Sequence, residues 1–166
     1  MPRNCYRGAS ASTVFTFFDP LALDIARAAI AEGMPDAEPQ LRWQFAYRTW
    51  FYLPLQHSED AKVHEQAMQE VQLAAMDIES LTTKKGKDDG WDEYKKKAWE
   101  VVHRDVDAAK GFARVQIDFQ KRHTVLIEKF GRYPHRNEAL GRELTTEERE
   151  HLEGGGDAFE GKLDDR

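Results

Sequence analysis

Apolar residues recur at intervals of three and four along most of the chain, and Val63, Ala67, Val71, Ala74, Ile78 and Leu81 give the cleanest run, with Lys62, Glu65 and Glu70 facing away. This spacing predicts an amphipathic helix. Ser58 is its expected N-cap, and Glu59 and Asp60 fall in its first turn, where free amides and the helix dipole favour carboxylates. An earlier helix is predicted to start at Asp19-Pro20 and stop at Gly33, with Leu21, Ala22, Ile25, Ala26 and Ala29 on its buried side. From Pro39 a second helix follows. It carries Trp43, Phe45, Tyr47, Trp50, Phe51 and Tyr52 around most of its circumference, which predicts the central helix of the fold.

Residues 84–90 contain no apolar side chain and read as an exposed loop. From Trp91 to Phe130 the pattern is helical throughout. Ala98, Val102, Val106, Ala109 and Ala113 form one stripe, then Phe112, Val115, Phe119, Leu126 and Phe130 form a rotated one, and Gly111 sits where the face changes. Glycine in a straight helix interior costs about 1 kcal/mol relative to alanine, so this stretch is either one kinked helix or two stacked ones. Thr145 and Glu148 have capping-box spacing and predict a short last helix. No strand alternation and no Asn-Gly hairpin signal occurs, so the expected fold is all-α, with five or six helices in antiparallel pairs. One domain over residues 2–152 and a flexible acidic tail over 153–166, opened by Gly154-Gly155-Gly156, complete the expected organisation.

Three motif blocks go beyond this pattern: residues 2–8 (Pro2-Arg3-Asn4-Cys5-Tyr6-Arg7-Gly8), residues 53–60 (Leu53-Pro54-Leu55-Gln56-His57-Ser58-Glu59-Asp60), and residues 130–142, which hold Phe130-Gly131-Arg132-Tyr133-Pro134-His135-Arg136-Asn137 and Leu140-Gly141-Arg142. With Asp19-Pro20-Leu21-Ala22 and Gln66 in the same order, they resemble the domain of unknown function 924 family over most of residues 2–152. The resemblance implies a tetratricopeptide-like, right-handed stack of helices without an established activity. It also implies two or three further helices ahead of Met1, so that the family's N-terminal part is expected to be missing here, and a stretch from Lys84 to Trp99 longer than usual.

The composition narrows the partners. A formal charge of −6 over 166 residues argues against nucleic acid, and no apolar run is long enough for a membrane span. One cysteine, Cys5, cannot form an internal disulfide and suits a reducing, cytoplasmic setting; its expected role is that of a small apolar group rather than a nucleophile. Against the acidic background, Arg3, Asn4, Arg7, His57, His123, Arg132, His135, Arg136, Asn137 and Arg142 gather near helix ends and loops. Arginine forks and the free amides of a helix start suit carboxylate or phosphate oxygens, which makes these residues a candidate anion site. Equally, the arginines could cap helix carbonyls or pair with Glu59 and Asp60 to fix the layers. His123 falls within an apolar stripe and requires a partner, either structural or a carboxylate such as Glu59 or Asp60 that would make it a base. His57 and His64 lie seven apart, without a histidine pair at four-residue spacing, so neither a metal nor a cofactor is expected.

Two functional classes follow. One is a non-catalytic binding or scaffold module that holds a protein or peptide in a groove. The other is an enzyme or sensor for a small anionic metabolite, with Arg132 and Arg136 as clamps and His57, His123 or His135 as acid or base.

Overall fold

A computed structural model describes residues 11–86 and 88–157, and among these every regular element is helical. The first long element is α1 (Asp19–Ala31), reached through a helical turn at Ala11–Thr13 and a π-helical turn at Val14–Phe18. Asp19-Pro20 therefore lies inside a continuous helical run and does not start it. Proline has no N–H and its ring crowds the carbonyl four residues back. The π-turn accommodates this by inserting one residue, so that the amide of Asp19 reaches the carbonyl of Val14, five residues back. The helix stops where predicted, because Gly33 adopts φ 86° and the Met34 amide bonds back to Ala29 O at 3.0 Å.

The buried side of α1 differs from the predicted one. Leu23, Ala26 and Ile30 pack on Leu55, Val63 and Ala67, while Leu21 and Ile25 stay exposed. Apolar residues encircle most of this helix, so spacing alone does not choose a side.

The aromatic segment is also divided, into α2 (Pro39–Arg42) and α3 (Phe45–Gln56). Trp43, at the break, is buried against Leu81, Ala98 and Val102. Along α3 the inner face carries Arg48, Tyr52 and Leu55, and Tyr47 and Trp50 point outward, 65% and 56% exposed. The central element is instead α4 (Ala61–Thr83), which packs against α3, α5 (Glu93–Val102) and α6 (Val106–Phe130). Its buried stripe is the predicted one, with Ala67 and Ala74 letting neighbouring helices approach and Ile78 and Leu81 filling the far end.

Residues 91–130 form two helices that part at His103–Asp105 rather than at Gly111, which lies inside α6. The cause is local: Asp105 accepts from the Ala108 amide at 2.8 Å and caps α6, just as Asp92 caps α5 through Lys95 N at 2.8 Å. Gly131, at φ 67°, ends α6. Two 3-10 turns, Pro134–Arg136 and Glu138–Leu140, lead to α7 (Thr146–Glu153), where the predicted capping box is formed in both directions. Beyond α7, Asp157 pairs with Arg122 on α6.

One buried ionic cluster ties α2, α3 and α4 together. Arg48, 1% exposed, donates to Asp77 Oδ2 at 2.6 Å and to the Tyr52 hydroxyl at 2.7 Å, and meets Asp36 Oδ1 at 2.6 Å. Arg42 adds a two-pronged contact to the same Asp77 carboxylate at 2.9 and 2.7 Å. Burial alone would raise the Asp77 pKa, but the two guanidinium groups outweigh it and hold the carboxyl below its ordinary value.

Candidate functional site

The 53–60 and 130–142 blocks meet at the junction of α1, α3, α4 and the 3-10 turns. Their local geometry starts in the loop after α3. Ser58 Oγ accepts from the Asp60 amide at 3.1 Å, and Asp60, not Ser58, is the N-cap of α4, accepting from Lys62 N at 2.8 Å. Glu59 is thereby held outside the helix. Its carboxylate takes both prongs of Arg142, at 2.6 and 2.9 Å, and the amide of Tyr133 at 2.9 Å. Partial burial pushes the Glu59 pKa up, but these donors outweigh it and leave the carboxyl below its usual range.

Arg136 closes the junction from the other side. Its guanidinium lies between the rings of Phe15 and Tyr133, 4.6 Å from each centroid, and donates to the His57 carbonyl at 2.9 Å. Asp19, from the start of α1, approaches Arg136 Nη1 at 3.5 Å and His57 Nδ1 at 3.8 Å. Together with Pro20, Leu23, Pro54, Ser58 and Leu140, these groups line a cavity of about 200 Å³.

The remaining predicted residues lie apart from this cavity or serve other bonds. Arg132 turns to α7, reaching Glu148 at 2.6 and 2.9 Å and the Glu143 carbonyl at 3.0 Å. Asn137 donates to the same Glu148 at 3.2 Å, and the Thr145 amide adds a bond at 2.8 Å. Arg132 above all, with these donors, draws the Glu148 pKa down to about 2. The His135 ring lies tilted against that of Tyr133, 5.4 Å between centroids. Arg3, Asn4 and Arg7, like Cys5, fall outside the described residues.

His123 is buried as predicted, but its described hydrogen-bond acceptor is the Phe119 carbonyl at 2.8 Å rather than Glu59 or Asp60. Its ring faces Tyr133, 6.0 Å away, and burial pulls its pKa down to about 4, so the imidazole is neutral. Next to it lies a polar network around His64, which motif spacing weighs only as a metal ligand. His64, fully buried, sits 2.9 Å from the Ser58 carbonyl through Nε2 and 3.2 Å from Gln120 Nε2 through Nδ1, which fits a neutral ring protonated on Nε2. Tyr133 donates its hydroxyl to the Gln56 carbonyl, and Thr124 donates to Gln120 O at 3.0 Å. A signal for His64 existed: it stands three residues before Ala67, in step with the buried stripe of α4. Both of its nitrogens are engaged within the fold, which suits a structural link between α4 and α6.

A second concavity is apolar. Between the start of α3, α5 and α6, a groove of about 740 Å³ is lined by Trp43, Phe45, Tyr47, Tyr94, Val101 and Phe112, with Lys97 and Asp105 as its charged walls. Tyr47 and Val101 are more than half exposed on its rim. Among the described residues, no cluster of three or more His, Cys, Asp or Glu is placed to hold a metal, and no helix is long and apolar enough to cross a membrane.

Fold and site together define an all-helical protein whose described charged motifs bind its own layers and which carries an aromatic groove. The chain belongs to the family of bacterial proteins of unknown function DUF924, whose sequence profile matches residues 1–156. No curated protein and no solved structure matches it.

Proposed function

We propose that the protein is a non-catalytic binding module, built as a tetratricopeptide-like stack, that takes an apolar segment of a partner protein in the groove between α3 and α5–α6. The observation that carries this reading is the division of labour among side chains. Arg132 and Arg142, two members of the candidate anion site, spend their forks on Glu148 and Glu59. The groove, by contrast, offers an aromatic floor of about 740 Å³ and an exposed rim at Tyr47 and Val101. Exposed apolar patches of this kind favour protein contact, and aromatic anchors dominate such interfaces. The acidic charge and the single cysteine in 166 residues support a cytoplasmic setting without nucleic acid or membrane as partner.

The test is selection of peptides from a random displayed library on the immobilised chain, followed by binding to Val101→Asp. Aromatic or branched apolar consensus sequences are expected, with binding at least about tenfold weaker to the variant, a change of about 1.4 kcal/mol, at unchanged melting temperature. Peptides that bind both proteins equally would remove the groove as the site. Catalysis on an anionic metabolite has less support, since His123, one of its candidate bases, is buried with Nδ1 at the Phe119 carbonyl, and Arg132, one of its candidate clamps, is paired with Glu148.

A further inference from the structure

The two longest helices, α4 and α6, run antiparallel and leave a groove along their outer side, away from α3 and α5. One half, about 570 Å³, lies between the start of α4 and the end of α6, and the other, about 530 Å³, between their opposite ends. On α4 the groove is lined by Glu65, Met68, Gln72, Met76 and Glu79, at the three- and four-residue spacing of one helix face. On α6 the same spacing gives Lys110, Arg114, Ile117, Lys121 and Val125. The face is apolar along its middle, with Met76 66% and Val125 55% exposed. Its charges divide by helix, acidic at Glu65 and Glu79 on α4 and basic at Lys110, Arg114 and Lys121 on α6. Two acidic groups on α6 depart from this division: Asp118, 3.9 Å from Lys121, and Glu128, which stands level with Ala61 and hence with the neighbouring Lys62.

We propose that this face is an interface between two copies of the chain, related by a two-fold axis parallel to the helices, so that α4 of each copy lies over α6 of the other in an antiparallel four-helix bundle. The division of charge is what selects a second copy as the occupant, because a face that is acidic on one helix and basic on the other matches itself once it is turned over. That axis keeps every residue at its own level along the bundle. Glu65 of one copy then meets Lys121 of the other, Glu79 meets Arg114, and Lys62 meets Glu128, while Met68, Met76, Ile117 and Val125 close the middle. An axis across the helices would instead stack α4 on α4 and set Glu65 opposite the Gln72–Met76 stretch, where no base meets it. Residues 61–79 and 110–128 each span about 27 Å, and two helices side by side are about 20 Å wide, so the footprint is about 540 Å² per copy and about 1,100 Å² for the pair. That clears the size of a specific interface near its lower end, the range of dimers that part on dilution.

Sedimentation velocity of the full chain over a dilution series tests the interface, and a reversible monomer–dimer equilibrium is expected. Met76→Lys, at a position already in water in the single chain, should weaken self-association at least about tenfold with an unchanged far-ultraviolet circular dichroism spectrum. Glu65→Lys and Lys121→Glu each set like charges against each other across the two-fold and should each weaken it about tenfold as well. An equimolar mixture of those two variants should dimerise as the unaltered chain does, since each copy then offers the other an opposite charge at both contacts. Repair by mixing cannot arise within one chain, so a loss of stability in either variant alone does not decide the matter. The groove variant Val101→Asp should dimerise normally, which lets this interface and the aromatic groove fail independently. A chain that stays monomeric at the highest concentration reached, a dimer indifferent to Met76→Lys, or a mixture that associates no more tightly than its two components would overturn the proposal.

Discussion

Replacing Asp77 by alanine tests the ionic cluster, because it removes the principal carboxylate from a guanidinium that has almost no access to water. Arg48 would keep Asp36 at 2.6 Å and Tyr52 at 2.7 Å, but would lose the 2.6 Å bond to Asp77, and Arg42 would lose both of its prongs. Breaking a buried pair from one side costs about 3–5 kcal/mol, and the surviving Asp36 contact places this case near 3 kcal/mol. For a chain of this size that is a fall of about 6–12 °C in melting temperature. Arg48→Met is expected to cost less, about 1–2 kcal/mol, because it removes the buried charge itself and leaves Asp77 with the two-pronged Arg42 contact. Urea unfolding at pH 7, followed by far-ultraviolet circular dichroism, measures both variants and the double replacement. A double variant destabilised by the plain sum of the two, or an Asp77→Ala cost below about 1 kcal/mol, would refute a coupled buried cluster. The pH dependence has a definite sign. The folded pKa of Asp77 lies below its ordinary value, so its contribution is present above about 3.8 and disappears as the pH falls through the depressed folded value.

Three more outcomes follow from the same geometry. His123, with a folded pKa near 4 against about 6.5 when unfolded, is neutral in the fold and protonated in the unfolded chain between those values. Stability should therefore drain away between pH 6.5 and 4 by about 3 kcal/mol, and His123→Phe should flatten that slope in denaturation curves taken across the range. Glu148→Ala removes one half of the capping box together with the acceptor of Arg132 and Asn137, and should cost more than the about 1 kcal/mol of a lost cap alone, read as faster amide exchange over residues 146–153. Arg136→Lys keeps the charge but loses the planar contact with Phe15 and Tyr133, and should lower the melting temperature of the unliganded protein; an unchanged value would show that the guanidinium plane is not needed to hold the junction.

Much of the fold was legible because α4 and α7 obey local rules: a stripe at three- and four-residue spacing and a Thr-to-Glu capping box both depend on residues within one helix. Where apolar residues go round the helix, as in α1 and α3, local rules do not select the buried face, and only the neighbours decide. Gly111 marked the wrong break, since Asp105 offers an N-cap six residues earlier and α6 runs uninterrupted through the glycine. At the candidate site, the convergence of His57 and Arg136 was readable from motif polarity, but the partners of the arginines were not. Glu148 and Glu59 become partners through turns at Gly131 and Gly141, and nothing in linear spacing shows which carboxylate a fork will meet. The role of Asp19 was hidden for another reason: its expected duty as a helix cap concealed a side chain that faces a cavity.

The bonds of Glu59 also bear on the order in which the molecule assembles. They join residues 83 and 74 positions apart, and Arg136 meets the His57 carbonyl across 79, so the segment after α6 acts as a clasp closed over nearly half the chain. Closing a loop of that length costs conformational entropy, and the return is mostly polar. The α4–α6 pair can form before the clasp, but the clasp has nothing to fasten to until the loop between α3 and α4 is in place. Native-state amide exchange is accordingly expected to show residues 132–153 opening at a lower free energy than α4 and α6.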